Sequence, residues 1–183
     1  LDNANLDTLW NACLAGNRKA QFQLYQMLSA RMFGVCLRYA QYESEAEEIL
    51  QAGFIKVFTK GQLFDNKGSL EGWIRKIMVN TAIELHRNKS KHGFEPLTFD
   101  YPVADSRSGS DENLQYKDLL AMVTTLPLGY RTVFNLYVIE GYSHKEIAQM
   151  LSISEGSSKS QLSRARQWLK EKLMKIENIG YER

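Results

Sequence analysis

Proline is scarce in this sequence: Pro96, Pro102 and Pro127 are its only three. Alternating runs of β-branched and aromatic residues, the mark of half-buried strands, are nearly absent. Together these exclude a sheet-built domain and predict an all-α chain. Cysteine is scarce too. Cys13 and Cys36 form no CxxC pair, and His86, His92 and His144 are scattered, so no metal site is expected. Both cysteines fall at helical apolar positions and read as small buried hydrophobes. No apolar run approaches the ~18 residues that would span a bilayer, and no secretory signal is visible. The chain is therefore expected to be cytosolic, and its start at Leu1 without a methionine points to a trimmed beginning. The sequon at Asn88 carries no meaning in that compartment. No nucleophile–base pair or paired carboxylates stand at a spacing suited to catalysis, so neither an enzyme nor a cofactor is expected.

What is present is segregated charge. The net charge is only +2, but Lys159, Arg164, Arg166, Lys170, Lys172 and Lys175 crowd one stretch against Glu155 and Glu171. Arg75, Lys76, Arg87, Lys89 and Lys91 crowd another against Glu84, while Glu43, Glu45, Glu47 and Glu48 form an acidic run. Such separation predicts one polyanionic partner and a second partner of different character.

Apolar periodicity organises the rest. Leu9 and Cys13, then Ala20, Phe22, Leu24, Tyr25 and Leu28, predict two short helices broken near Gly16-Asn17. Met32, Val35, Cys36 and Tyr39 continue into another. Ser44 is a candidate cap for a helix through Ile49, Leu50, Phe54, Val57 and Phe58 that stops before Gly61. Asp65, Asn66 and Gly68 mark a loop. Ser69 then caps a long helix carrying Trp73, Ile74, Ile77, Met78, Thr81, Ala82 and Leu85. The segment from Phe94 to Asn113 mixes Pro, Ser, Gly and Asp and reads as an acidic linker, although Phe94, Phe99 and Tyr101 could pack on something. Beyond it, Leu119, Leu120, Val123 and Leu126 form one stripe. Pro127 ends or restarts it, and Val133, Phe134, Leu136, Tyr137 and Ile139 form the next, up to Gly141. Ser143 caps the helix bearing Ile147, Ala148 and Leu151. The expected architecture is two small helical domains, 1–92 and 114–183, joined by a flexible linker over 93–113.

The stretch from Glu140 to Lys172 reads as two helices with a tight turn between them, a helix-turn-helix. At ~100° per residue, Leu162, Ala165 and Leu169 share one face of the second helix. Gly156, Lys159, Ser160, Ser163, Arg164 and Gln167 share the roughly opposite one. A helix that reads the major groove needs this division, with side chains near its start for bases and flanking cations for phosphates. A solvated charged face on an ordinary helix pair would look similar. Ser158 falls on the core side, where an aliphatic residue would pack better.

At this point a resemblance can be stated. "LPLGYRTVFNLYVIEGYSHKEIAQMLSISEGSSKSQLSRARQWLKE" resembles the C-terminal domain of bacterial RNA polymerase sigma factors. "LAGNRKAQFQLYQ", "RYAQYESEAEEILQAGFIKVF" and "GSLEGWIRKIMVNTAIELHRNKSK" are similar to three successive signatures of the other sigma domain. Two domains and little else is the layout of the extracytoplasmic function (ECF) group. The likeness covers residues 9–92 and 114–172.

The resemblance implies that the C-terminal helix pair reads the upstream (−35) promoter element as duplex, through Lys159, Ser160, Ser163 and Arg164, with Arg166 on the backbone. The family's basic residue is missing at Gln161. It implies that Glu47, Glu48, Gln51 and Phe54 grip the β′ clamp helices of core RNA polymerase, although Ala52 replaces a commonly acidic position. It implies that Phe64, Asn66, Lys67, Ser69 and Asn80 form a pocket for a base flipped out of the downstream (−10) element, with Lys76, Arg87 and Lys89 on phosphates. Trp73 could be a stacking platform there, or core through its helical spacing with Ile77. Implied partners are promoter DNA, core polymerase and an anti-sigma factor. The two basic helices then answer to two promoter elements, whose weak affinities combine through the linker. The competing reading is a stand-alone helix-turn-helix regulator, but that needs no aromatic and amide loop followed by a basic helix in its N-terminal half.

Overall fold

The computed structural model describes residues 3–91 and 121–180, with side chains over 6–88 and 121–174. The chain divides into two compact units, Leu1–Lys89 and Ser90–Arg183. Every regular element among the described residues is helical, as the lack of strand signals predicts. The predicted linker, with Phe94, Phe99 and Tyr101, and the stripe residues Leu119 and Leu120 lie outside the described residues.

Among the described residues the N-terminal unit has four α-helices, α1 (Asn3–Leu14), α2 (Arg18–Leu37), α3 (Glu43–Thr59) and α4 (Leu70–Lys91), with a 3-10 turn, Gly61–Leu63, after α3. The break after α1 falls where expected. Gly16 takes φ +80°, and Asn17 caps α2 by accepting from Lys19 N–H at 3.0 Å and Ala20 N–H at 3.2 Å. The buried residue in the last turns of α1 is Trp10, with Cys13, and Leu9 is only half-buried.

Two expectations need correction. The helices predicted on either side of Leu28 are one helix of 20 residues. Ala20, Leu24, Leu28, Met32 and Val35 keep one unbroken buried stripe along it, and neither Gly nor Pro stands between Leu28 and Met32 to end a helix there. Phe22 lies off that stripe and is exposed. Second, Ser44 does not cap α3. The cap position is Tyr42, which makes no side-chain cap bond. The buried Glu45 carboxylate instead accepts from Gln41 N–H.

Helix α4 does begin on Ser69, whose Oγ accepts from Gly72 N–H at 3.1 Å. It buries Leu70, Ile74, Met78, Val79, Ala82 and Ile83. Contacts with three neighbouring segments fix its rotation. Glu71 pairs with Arg31 of α2 at 2.9 Å, Glu84 with Lys56 of α3 at 2.6 Å, and the His86 ring meets Tyr39 O at 2.7 Å. A Cβ on Gly53 would stand 2.2 Å from Met78 Sδ, so the glycine lets α3 and α4 approach closely.

In the second unit, residues 121–124 close a helix and Pro127 starts α5 (Leu128–Phe134). This runs into a π-helical turn, Asn135–Ile139, and ends at Gly141 with φ +78°. Ser143 caps α6 (His144–Leu151) in a capping box with Glu146. Ser152 takes the left-handed conformation, φ 56°, and α7 (Glu155–Gly180) follows. Val123, Leu126 and Ala165 form a core patch with Tyr130, Phe134 and Leu169 against it. Leu136, Ile147 and Leu162 are buried as well.

Candidate nucleic-acid interface

Helix α7 presents the face predicted for it. Lys159, Ser160, Ser163, Arg164, Arg166 and Gln167 are exposed, while Leu162 and Ala165 are buried. The cations are not all free. Lys159 pairs with Glu155 at 2.7 Å, one turn earlier, and this bond and charge hold the Glu155 carboxyl below its usual range. Arg164 Nη1 donates to the Tyr130 hydroxyl at 3.1 Å, which pushes its pKa up further. The Arg166 guanidinium lies 6.0 Å from the Tyr137 ring centroid. Gln161 is half-buried and bonds Ser157 Oγ at 3.3 Å, so it offers little to DNA. Ser158 is fully buried and has a partner, the His144 ring, with Nδ1 2.9 Å from its Oγ.

In the N-terminal unit, Trp73, Lys76, Asn80 and Arg87 recur at steps of three, four and seven. That keeps them within about 60° on one face of α4. Lys76, Asn80 and Arg87 are exposed and Trp73 is half-buried. The backbone of Lys89 continues the helix, but its side chain lies outside the described residues. The loop ahead of α4 is bent by local chemistry. Asp65 Oδ1 accepts from Lys67 N–H at 3.1 Å, Asn66 takes φ 59° and Gly68 φ 99°. Asn66, Lys67 and Ser69 are exposed, and Lys67 Nζ stands 3.3 Å from Asp65. Phe64 differs from its loop neighbours. It packs with Trp10 and Trp73 in a trio of rings, their centroids 5.5 to 6.1 Å apart. Both readings of Trp73 therefore meet in one place, since its ring is half in the core and half beside the loop.

The third set, on α3, is only partly on the surface. Glu47, Glu48 and Gln51 are exposed. Phe54 is 3% exposed and packs on Tyr25, ring centroids 4.8 Å apart. It belongs to the core and cannot touch a partner, because it falls on the buried side of α3 with Leu50 and Val57. The apolar side chain on the outer face is Ile55, 63% exposed. Sequence reasoning missed it, though one turn of the helical wheel beyond Gln51 places it there. It also missed Trp10, Tyr130 and Glu155, of which only Glu155, four residues before Lys159, carried a local signal. Among the described residues, no three His, Cys, Asp or Glu side chains stand together as a metal site would require.

Comparisons with known proteins bear on the family. Residues 24–92 match the family model "Sigma-70 region 2", and residues 116–169 match "Sigma-70, region 4". The ECF RNA polymerase sigma factor SigE of Mycolicibacterium smegmatis is 28% identical over 158 residues, which cover 84% of this chain and 61% of the relative. The ECF RNA polymerase sigma factor SigW of Bacillus subtilis is 28% identical over 170 residues, 86% of this chain and 91% of the relative. A solved structure of the sigma factor RpoE with the anti-sigma factor NepR, from Bartonella quintana, is 21% identical with a TM-score of 0.49, and covers 83% of this chain and 95% of that one.

Proposed function

The chain belongs to the sigma-70 family, in its extracytoplasmic function group, and we propose that it is the promoter-specificity subunit of a bacterial RNA polymerase. It recruits core polymerase through α3, reads the −35 element as duplex through α7, and captures an unpaired base of the −10 element with the loop Phe64–Ser69 and Asn80. Its role is binding and DNA opening, without catalysis of its own. It acts in the cytoplasm, and no described helix is long and apolar enough to cross a membrane. An anti-sigma factor is the regulatory partner this reading implies.

The observation that supports the proposal is the presence on one chain of two differently built surfaces, each suited to nucleic acid. The α7 face offers cations and hydroxyls from one rigid helix, which suits a groove. The N-terminal surface instead joins a bent loop, an aromatic edge and an exposed amide to a row of cations, which suits a single strand. A duplex-binding regulator has no use for the second.

The mechanism follows from what an extruded base needs. Its Watson–Crick edge loses pairing, and an unpaired polar edge taken from water costs about 1–3 kcal/mol. Asn80 carries a donor and an acceptor on one amide and lies on the exposed face of α4. The half-buried Phe64 and Trp73 rings provide an apolar wall, while Lys76 and Arg87 hold the backbone. The test is run-off transcription with purified core polymerase, with Asn80→Ala beside the wild type. The wild type should direct initiation. The variant should bind core and upstream duplex normally but weaken binding to a single-stranded −10 oligonucleotide, and lower permanganate reactivity of the melted region. Equal losses on oligonucleotides substituted at every base would remove Asn80 from the pocket, and no initiation by the wild type would remove the proposal.

A further inference from the structure

Ser158 is the residue least suited to its place by composition. It is a hydroxyl at 0% exposure in the first turn of α7. A buried hydroxyl costs stability unless it is bonded. Its Oγ lies 2.9 Å from His144 Nδ1, at the first position of α6. The His144 ring in turn stacks on Tyr137 of the π-helical turn, centroids 4.5 Å apart and planes 22° apart. The Arg166 guanidinium sits 6.0 Å from that same Tyr137 ring. The chain of contacts therefore leaves α7 at Ser158 and returns to it at Arg166, eight residues or about 12 Å further along. Lys159, Ser160, Ser163 and Arg164 all lie between those two anchor points.

We propose that Ser158 and His144 are positioning residues for duplex reading, the closing bond of a clasp that sets the register of α7 against α6. The proposal rests on the reading of α7 as the −35 reader. The physical reason for a polar bond here is direction. An aliphatic pair would bury as much surface but would permit small slides and rotations of one helix on the other. A hydrogen bond at 2.9 Å loses its strength once the donor and acceptor misalign. Major-groove recognition tolerates little of that motion, since bidentate contacts to base edges depend on fixed geometry. Either partner can carry the shared proton, because a hydroxyl both donates and accepts. Tyr137 and Arg166 complete the clasp by fixing the imidazole plane and tying the far end, through stacking and cation–π attraction. The bond thus acts on specificity through the placement of neighbouring side chains, without touching DNA.

The test uses the full chain and a duplex that the wild type selects from a random-sequence pool. The readout is the ratio of affinities for selected and scrambled duplexes, measured beside the melting temperature. His144→Ala and Ser158→Val should each lower that ratio roughly fivefold to tenfold, the scale of one lost buried hydrogen bond. Ser158→Ala, the mildest change, covers the case in which Ser158→Val fails to fold. His144→Asn, which can place an amide near the position of Nδ1, should restore the ratio. The apolar pair His144→Phe with Ser158→Val should recover melting temperature without recovering the ratio. If the apolar pair recovers both, packing alone positions α7 and the proposal falls. If single variants lower melting while the ratio stays at the wild-type value, the bond is only structural and the proposal also falls. Lys159→Ala serves as the control for the premise. A wild-type ratio there too would remove α7 as the reader, whereas a wild-type ratio in the clasp variants alone would remove only the clasp.

Discussion

Trp10 is the residue on which the loop Phe64–Ser69 rests, and its removal makes the sharpest test of the proposed N-terminal site. The side chain is 5% exposed and meets Phe64 and Trp73 edge-on, at 6.1 and 5.8 Å between centroids. Truncating a buried Trp to Ala costs about 3–5 kcal/mol, and the two ring pairs account for about 1–3 kcal/mol of that. A unit the size of Leu1–Lys89 has about 4–13 kcal/mol in all, so Trp10→Ala removes from about a quarter of it to the whole. Trp10→Phe keeps one ring and should cost about 1–2 kcal/mol, a fall in melting temperature of about 4–16 °C. The wall of the trio that faces the loop then moves, although Trp10 itself touches no DNA. Measured well below the melting transition, on the complex with core polymerase, Trp10→Phe should weaken binding of a single-stranded −10 oligonucleotide. Upstream-duplex binding, which the proposal assigns to the other unit, is the internal control and should not change. Gly61→Ala should act in the same direction, because its Cβ would stand 2.5 Å from Leu14 Cδ2 and 3.0 Å from the Trp10 ring. Lower melting with undiminished single-strand affinity in both variants would refute the idea that the ring trio supports the loop.

Three other perturbations are informative. Glu155→Gln frees Lys159 from its 2.7 Å pair and should tighten duplex binding on all sequences and steepen its salt dependence; weaker binding in a salt titration would mean that Glu155 orients Lys159 instead of competing for it. Ile55→Asp, and separately Glu48→Lys with Gln51→Ala, should reduce co-purification with core polymerase while circular dichroism stays unchanged, whereas Phe54→Ala should destabilise the fold by about 3–5 kcal/mol; unchanged co-purification of the surface variants would move the interface off α3. Burial pushes the Cys36 thiol from 9.0 up to about 12, so the unfolded chain releases that proton first. Its contribution is complete below about pH 9 and is lost as pH rises toward 12, at about 1.4 kcal/mol per pH unit; urea melts at pH 8 and pH 10 should show a larger loss for the wild type than for Cys36→Ala, and equal losses would contradict this sign.

Much of this was legible because helices write their faces into sequence at a fixed period. The exposed face of α7, the start of α4 at Ser69 and the breaks at Gly16 and Gly141 are local matters, settled within one turn of chain. The errors share a physical cause. Ser44 has the chemistry of a cap, but Glu45 reaches the start of α3 from inside the helix. The resemblance puts Phe54 on a partner surface, yet its own spacing with Leu50 and Val57 puts it in the core, and the exposed apolar side chain is its neighbour Ile55. The ring trio joins Trp10 to residues more than fifty positions away, and Arg164 meets Tyr130 thirty-four positions back. No periodicity encodes such meetings. Ser158 looked like a flaw in the core until His144 appeared opposite it, fourteen residues earlier in the chain.

A π-helical turn holds more residues than the α-helical turn it replaces. In Asn135–Ile139 the Glu140 N–H reaches back five residues to Asn135 O, and Tyr142 N–H reaches Leu136 O. Deleting any single residue of this turn would let it relax into α geometry with its backbone bonds largely intact. Side chains beyond the turn would keep nearly the same facing, because the wide turn had absorbed the extra residue, whereas a deletion in the α-helix before it would swing everything that follows by about 100°. Between Pro127 and Ser143 the chain therefore has one place with slack, and its number of residues should vary at Asn135–Ile139 before it varies in the α-helix ahead.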